Sequence, residues 1–172
     1  TLLAPLARYV ELFDSLRDGT MSSEPAPIPE DRRIRADNLK AHCVFLDADM
    51  AAISAIPEDA WLEDAGGSDA HDFALVILVA HPKAPRPGDP GEAWLEGCGA
   101  AMAEMRAGEN AVAMAQYVRQ LGYPARAHTK TTGELDIDAL SVHAGLTLAQ
   151  ESGEVKNPFL GAGFACAVVS TT

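Results

Sequence analysis

The chain has 172 residues, of which 48% are hydrophobic and 22% charged, so it can bury a core and is not a disordered chain. Its 13 Lys and Arg against 25 Asp and Glu give a net charge of −12. This charge disfavours nucleic acid and anionic membrane surfaces as partners, because the far field repels polyanions. No apolar run approaches the ~20 residues of a membrane-spanning helix. Three separated cysteines (Cys43, Cys98 and Cys166) predict neither a disulfide framework nor a metal knuckle, and they favour a reducing, cytoplasmic setting.

Apolar periodicity and turn residues predict the elements of the first half of the chain. Apolar residues at helical spacing stop before Gly19, and three prolines then mark a linker. The predicted elements are a helix at 2–16, an extended linker at 22–29, a helix at 30–46, a buried strand at 50–56, and a loop at 57–72 with a turn around Trp61.

The strongest predicted strand is FALVILVA, residues 73–80. Its apolar residues do not alternate with polar ones, so we expect helices to cover both of its faces. The elements predicted after it are a Pro-rich loop at 81–91, a long helix at 92–121 with a break near Gly108, a strand at 125–128, a helix at 136–144, a loop at 145–163 and a strand at 164–170. This alternation predicts an α/β domain with a sheet of at least three strands between helices.

No local group of side chains predicts catalysis or metal binding. No two of the histidines have the close spacing of a ligand pair, and neither HExxH nor a Ser-His-Asp signature is present. The pattern favours surface or capped histidines, so no catalytic or metal-ligating residue is assigned. The histidines are His42, His71, His81, His128 and His143.

Two loops are candidates for ligand contact. Lys83 and Arg86 follow the strongest strand, where they can hold an anion such as a phosphate or carboxylate, or form an exposed basic loop. Residues 153–163 combine three glycines with Lys156, Asn157 and Phe159. Glycines let backbone amides approach a large ligand closely, although a plain connecting loop has the same composition.

Three stretches resemble a known family when they are taken in order. The first is NLKA at 38–41 leading to FLDADM at 45–50, and the second is YVRQLGYPA at 117–125, the most specific of the three. The third is LSVHAGL at 140–146 followed by NPFLG at 157–161. Together they are similar to the motifs of reductive dehalogenases and epoxyqueuosine reductases, over a region from about Glu30 to the last residue.

The resemblance implies an N-terminal helix and Pro-rich linker at 1–29, then a cobalamin-binding domain at 30–172. The implied fold is a nitroreductase-like α/β sandwich, with a central mixed sheet covered by helices. The family uses a corrinoid, bound base-off, to remove halide from an organohalide. A reductase or ferredoxin supplies electrons through two [4Fe–4S] clusters. The implied cofactor-binding residues are His128, Thr129, Lys156, Asn157, Phe159, Leu160 and Gly161.

Several departures from the family pattern leave the role of this chain open. Cluster cysteines are absent, and the chain begins at Thr1 without Met, so we expect a segment of a longer protein whose iron–sulfur part follows. Lys156 stands where the family has an arginine, which keeps the charge and loses the planar fork. The family's tyrosine proton donor has no counterpart in residues 94–106. We therefore expect no activity from this segment alone.

A second interpretation is a degenerate, non-catalytic copy of the same domain with a structural or dimerisation role. In that case a stripe containing Met102, Met105 and Met114 is a candidate partner surface, although such residues more commonly lie in a core. A homodimer is then a further expectation. A flavin site is a third and weaker interpretation, since nitroreductase-like folds bind FMN and nothing in the sequence favours it.

Overall fold

The structure is a computed structural model that describes residues 2–62 and 71–172. Residues 63–70, which belong to the loop predicted at 57–72, lie outside the described part. The elements are α1 (Leu3–Ser15), α2 (Arg32–Phe45), β1 (Met50–Ala55), a 3-10 turn (Glu58–Ala60), β2 (Phe73–Ala80), α3 (Glu92–Leu95), α4 (Cys98–Gln120), β3 (Ala125–His128), α5 (Ile137–His143), β4 (Leu148–Ala149), β5 (Val155–Lys156) and β6 (Phe164–Thr171).

The main sheet has the strand order β1-β2-β6-β3. All three neighbouring pairs are antiparallel, with Ile77 opposite Ala167 and Ala127 opposite Val169. The predicted mixed sheet is therefore wrong. The crossover through α4 does make β2 and β3 run in the same direction, as helical crossovers do. However, β6 is inserted between them, so these two strands never pair.

Both faces of the sheet are covered, as the uninterrupted apolar strand predicted. Leu75, Ile77 and Val79 of β2 face one core, which contains a stripe of alanines from α4. Ala74, Val76 and Leu78 face a second core with Leu140 of α5. Since successive side chains of a strand point to opposite faces, an apolar residue at every position is what a two-sided core requires.

The long helix is interrupted at Gly97, whereas the sequence predicted a break near Gly108. Gly97 has φ 73° and separates α3 from α4, because glycine adopts this left-handed conformation without a steric cost. Gly108 lies inside α4, where a Cβ would come within 3.6 Å of both Phe13 and Thr129. Gly108 thus lies where α4 packs on α1 and the turn after β3, and a Cβ there would make ordinary van der Waals contacts.

The N-terminal helix and linker lie against the same body of the protein. Leu6 and Val10 of α1 are buried where this helix packs on α4. In the linker, the amide of Ser22 donates to the carbonyl of Arg119, and the amide of Ala26 donates to that of Leu121, both at 2.9 Å. The loop predicted at 145–163 also contains regular structure, because β4 and β5 pair in a short hairpin.

Candidate functional site

The loops predicted to contact a ligand gather at one end of the sheet. β2 and β3 end there and β6 begins there, as the register of the two pairs requires. The amide of His81, directly after β2, donates to the carbonyl of Gly163 at 2.8 Å. The side-chain amide of Asn157 lies 3.1 Å from the sulfur of Met50, at the start of β1. The topology thus brings together segments that are more than one hundred residues apart in the chain, from β1 to β6.

Asn157 anchors the turn at 157–161 and is itself 2% exposed. Its Nδ2 donates to the carbonyl of Leu146 at 2.7 Å. Its Oδ1 accepts from the amides of Phe159 at 2.8 Å and Leu160 at 2.9 Å. Backbone bonds in both directions with Gly161 close the turn. The hydrogen-bonding capacity of this side chain is therefore used inside the fold.

The neighbours of Asn157 face solvent. Phe159 is 84% exposed at the tip of the turn, and Lys156 is exposed at the end of β5. Leu160 is half-buried and packs against the core that contains Leu140. Gly161 has φ 63°, which the tight turn requires. Of the residues predicted in this loop, Lys156 and Phe159 are thus the side chains that can meet an external ligand.

His128 is fully buried at the end of β3. Its Nε2 shares a hydrogen bond of 2.8 Å with the hydroxyl of Ser170, and its Nδ1 lies 3.1 Å from a carboxylate oxygen of Glu134. Burial, together with the positive charge of Arg126, lowers the pKa of His128 to about 3. The ring is therefore neutral at physiological pH, with Nε2 hydrogen-bonded and Nδ1 close to Glu134 but without a hydrogen bond.

Thr129 is held by the first helix. Its hydroxyl donates to Asp14 of α1 at 2.6 Å and shares a hydrogen bond of 2.7 Å with Thr131. Thr131 contacts the other oxygen of Asp14. The turn predicted to approach a corrinoid is consequently tied to α1 rather than open to a ligand from that side.

Several of the groups predicted to bind a corrinoid make hydrogen bonds within the fold. The side-chain amide of Asn157 is bonded within the fold, Thr129 is bound to Asp14, and Nε2 of His128 is bonded to Ser170, whereas Nδ1 of His128 makes no hydrogen bond among the described residues. Added Cβ atoms at Gly153 and Gly161 would meet nothing within 4 Å, so these glycines border open space. The three cavities described for the structure are lined by other residues. The assignment of a corrinoid to the predicted residues stays a prediction.

The basic loop after β2 borders a cavity. Lys83 lines it together with the start of α4 and Leu2, and its volume is about 810 Å³. Arg86 is not among the residues that line this cavity; its amide donates to Asp89 within a turn. The position of Lys83 is thus compatible with the sequence prediction that this loop holds an anion.

An ionic network, which sequence reasoning missed, lies along the edge strand β3. Arg126 donates to Asp18 at 2.6 Å and to Glu134 at 3.2 Å, and Arg17 lies 3.1 Å from Glu134. The hydrogen bond and charge of Arg126 lower the pKa of Asp18. Arg17 and Asp18 are separated from their partners on and after β3 by more than one hundred residues, so no local spacing could have indicated the network.

Two general properties concern the described residues. None of their helices combines the length and the apolar character needed to cross a lipid bilayer. Within the same residues, no three side chains among His, Cys, Asp and Glu are arranged to hold a metal ion. Cys43, Cys98 and Cys166 are all buried free thiols, and burial raises the pKa of Cys43 to about 12.

Comparison with known proteins gives matches among solved structures. No protein-family model and no curated protein matches the chain. The catabolic reductive dehalogenase NpRdhA is 36% identical over 99% of this chain and 24% of its own, with a TM-score of 0.91. A second reductive dehalogenase structure, described as suggesting a mechanism for B12-dependent dehalogenation, has the same identity and coverage and a TM-score of 0.88.

Epoxyqueuosine reductase is a more distant neighbour. A complex with a tRNA stem loop matches with 12% identity and a TM-score of 0.58, over 82% of this chain and 46% of that one. At this identity the likeness concerns the fold alone. The chain spans about a quarter of the length of the dehalogenases it matches. Nearly every residue of the chain takes part in the closer match, which confirms the family that the motifs predicted: the chain belongs to the reductive dehalogenases.

Proposed function

We propose that the chain is a non-catalytic, structural domain of a dehalogenation-related protein and does not itself hold the corrinoid. The observation that carries this proposal is the internal use of the predicted cofactor-binding groups. His128, Thr129 and Asn157 are hydrogen-bonded within the fold, and two of the three are almost fully buried. A side chain that stabilises the fold in this way is not available to orient a ligand.

The outer surface of α1 supports a packing role. Leu2, Tyr9, Leu12 and Leu16 are each 43–52% exposed. Their spacing of seven, three and four residues places them on one stripe of the helix, next to the stripe that is buried on α4. Such a spacing is typical of a helix that packs against another helix. Exposed apolar stripes of this kind mark interaction surfaces more often than free surface.

A second exposed apolar group lies at the end of α2. Phe45 is 86% exposed and Val44 is 58% exposed, beside Leu46. The chain therefore presents apolar surface from two helices, in addition to its complete core. We expect these surfaces to be covered by other parts of the dehalogenase assembly or by a second copy of the chain, since the matched dehalogenases are about four times as long.

A corrinoid-binding role is the second candidate. It is supported by the B12 dependence stated for a matched dehalogenase and by the gathering of the predicted loops at one end of the sheet. Lys156, Phe159 and Leu160 would then contribute one wall, and the rest of the protein would supply the others. When bound, the corrinoid would supply the metal centre that reacts with the organohalide, with electrons from iron–sulfur clusters outside this chain. NpRdhA has been solved with 3-bromo-4-hydroxybenzoic acid, and an organohalide is the substrate class that we propose for the whole protein.

A visible absorption spectrum separates the two candidates. The dehalogenase protein that contains this chain is loaded with cobalamin, desalted and measured against a parallel sample that carries Lys156→Ala combined with Phe159→Ala. A structural domain predicts the same corrinoid absorbance in both samples. Loss of the base-off corrinoid absorbance in a folded double variant would replace the structural proposal by the second candidate.

A further inference from the structure

A groove with a mostly apolar wall lies between the linker, α2 and the end of α4. Its volume is about 560 Å³, which is in the range of sites that hold small organic molecules. Leu39 of α2 and Val118 and Leu121 at the end of α4 form apolar parts of its wall, and Arg35 of α2 forms a charged part. The groove reaches the last residues of β6, at the opposite end of the sheet from the predicted corrinoid loops. It is therefore separate from the site described above.

The linker that forms one side of the groove is fixed to its neighbours. In addition to its two backbone hydrogen bonds with the end of α4, it packs directly against the backbone of Gly122. A Cβ on Gly122 would come within 2.6 Å of Cα of Pro25, so no other residue fits there. Nη1 of Arg35 donates to the carbonyl of Pro29 at 3.0 Å, which joins the linker to α2. The groove is therefore part of the fold.

Arg35 brings an available positive charge to this groove. Within residues 2–62 and 71–172, no carboxylate lies within 4.0 Å of its half-buried guanidinium, and Glu30, which also borders the groove, lies beyond that distance. Its Nε and Nη2 have no hydrogen-bond partner among the described residues, and the fold does not enclose either nitrogen. These two donors can therefore be reached by an external molecule.

Two tyrosines give the wall a mixed apolar and polar character. Tyr117 and Tyr123 both line the groove and are half-buried. The ring of Tyr117 stacks on His42, with 4.8 Å between the ring centroids and 23° between the planes, which fixes the orientation of the phenol. A tyrosine offers an apolar ring beside a hydroxyl that can donate or accept a hydrogen bond. Such a wall suits a molecule that is apolar over most of its surface and polar at one end.

We propose that this groove binds a small organic monocarboxylate with an apolar body. The carboxylate accepts from Nε and Nη2 of Arg35, because a planar guanidinium matches the two oxygens of a carboxylate. The apolar body lies against Leu39, Val118 and Leu121. An inorganic anion would leave this apolar wall uncovered, and a neutral apolar molecule would leave the guanidinium without a partner. The site is independent of the corrinoid question, because none of the predicted corrinoid residues lines it.

Photolabelling of the whole protein that contains this chain tests the proposal. The probe is 4-benzoylbenzoate, a benzophenone with one carboxylate, and labelled residues are located by mass spectrometry of peptides. The proposal expects saturable labelling within residues 28–39 and 117–123. Unlabelled benzoate or hexanoate should compete, and the stronger competitor decides between an aromatic and an aliphatic body. Benzamide, which has the ring without the charge, should compete at least tenfold less well than benzoate.

Three variants assign the binding to Arg35. Arg35→Gln should raise the half-saturating concentration of the probe about tenfold or more, as expected when a hydrogen bond to a charged group is lost. Arg35→Lys keeps the charge without the planar fork and should have a smaller effect. Arg33→Gln is the matched control, because Arg33 is exposed on the same helix and does not line the groove. Circular dichroism checks that each variant is folded.

Three results would overturn the proposal. The first is labelling that does not saturate or that lies outside the two segments. The second is equal labelling of Arg35→Gln and the parent protein, because the carboxylate would then not be held by Arg35. The third is equal competition by benzamide and benzoate, because the groove would then recognise the apolar body alone. None of the probes carries a halogen, so the readout does not depend on dehalogenation.

Discussion

Replacing Asn157 by alanine tests whether the residue holds the fold or a cofactor. The substitution removes the acceptor for the amides of Phe159 and Leu160 and the donor to Leu146. At about 1 kcal/mol net for each hydrogen bond, the loss amounts to about 3 kcal/mol. The carbonyl of Leu146 also loses its side-chain donor. We therefore expect the free energy of unfolding, measured by urea denaturation with circular dichroism, to fall by about 3 kcal/mol.

Two further variants make this measurement specific. Asn38→Ala is the matched control, because Asn38 is exposed on α2 and its loss should change stability by less than about 0.5 kcal/mol. Asn157→Asp keeps an acceptor for the two amides but buries a carboxylate against the carbonyl of Leu146, so it should also be destabilised, and less so at low pH where the carboxyl is protonated. If Asn157→Ala lowered the free energy of unfolding by less than about 1 kcal/mol, the conclusion that Asn157 anchors the turn would be refuted, because three buried hydrogen bonds together contribute more than that on average.

Two other predictions concern the core and the pH dependence. Val76→Asp places a charge in the fully buried second core and should lower the free energy of unfolding by about 3 kcal/mol or more in the same denaturation assay. Val44→Asp, on the exposed side of α2, should lower it by under about 0.5 kcal/mol. Similar losses of stability at both positions would be inconsistent with a sheet that is buried on both faces. The pKa of His128 is lowered to about 3 in the folded state, so the unfolded chain binds a proton that the folded chain does not as pH falls below about 6.5. From about pH 6 to pH 5, the free energy of unfolding should therefore fall by roughly 1 kcal/mol more in the parent chain than in His128→Gln. An equal dependence of stability on pH in the two proteins would contradict the conclusion that His128 is buried and neutral.

Those parts of the fold that depend on local pattern could be predicted from the sequence. The apolar run of β2 requires cover on both faces, and the two cores confirm this. The turn before Trp61 and the helix ending near residue 120 follow from local residues in the same way. The insertion of β6 between β2 and β3 could not be predicted, because pairing between distant strands leaves no periodic signal in either strand.

The position of the helix break illustrates a related limit. Gly97 and Gly108 both lie in an apolar, alanine-rich stretch, and glycine weakens a helix at either position. What separates them is packing: Gly108 faces α1 closely, whereas a Cβ on Gly97 would meet nothing within 4 Å. The glycine that touches another element keeps its helix intact, and the one in open space provides the turn. Sequence alone does not distinguish these two uses.

The same limit applies to the candidate site. Family motifs indicated the segments that meet at one end of the sheet, and they did so because motif order reflects the order of strands and loops. The motifs could not indicate that His128 is enclosed by Ser170 and Glu134, or that Thr129 is bound by Asp14. These contacts join residues that are up to 115 positions apart. The chemical state of a motif residue therefore depends on partners that lie outside the motif.

The fold does not depend on the residues that would face a corrinoid. The core is formed by β2, β6 and α4, and the loop before β6 is fixed mainly by Asn157. Lys156 and Phe159 extend beyond this anchor into solvent, so substitutions there remove little buried surface. A domain built in this way can lose its ligand contacts and keep its structure, since the two depend on different side chains. For this reason, a stable protein that does not bind cobalamin would be informative: the absence of binding could not be attributed to a failure to fold.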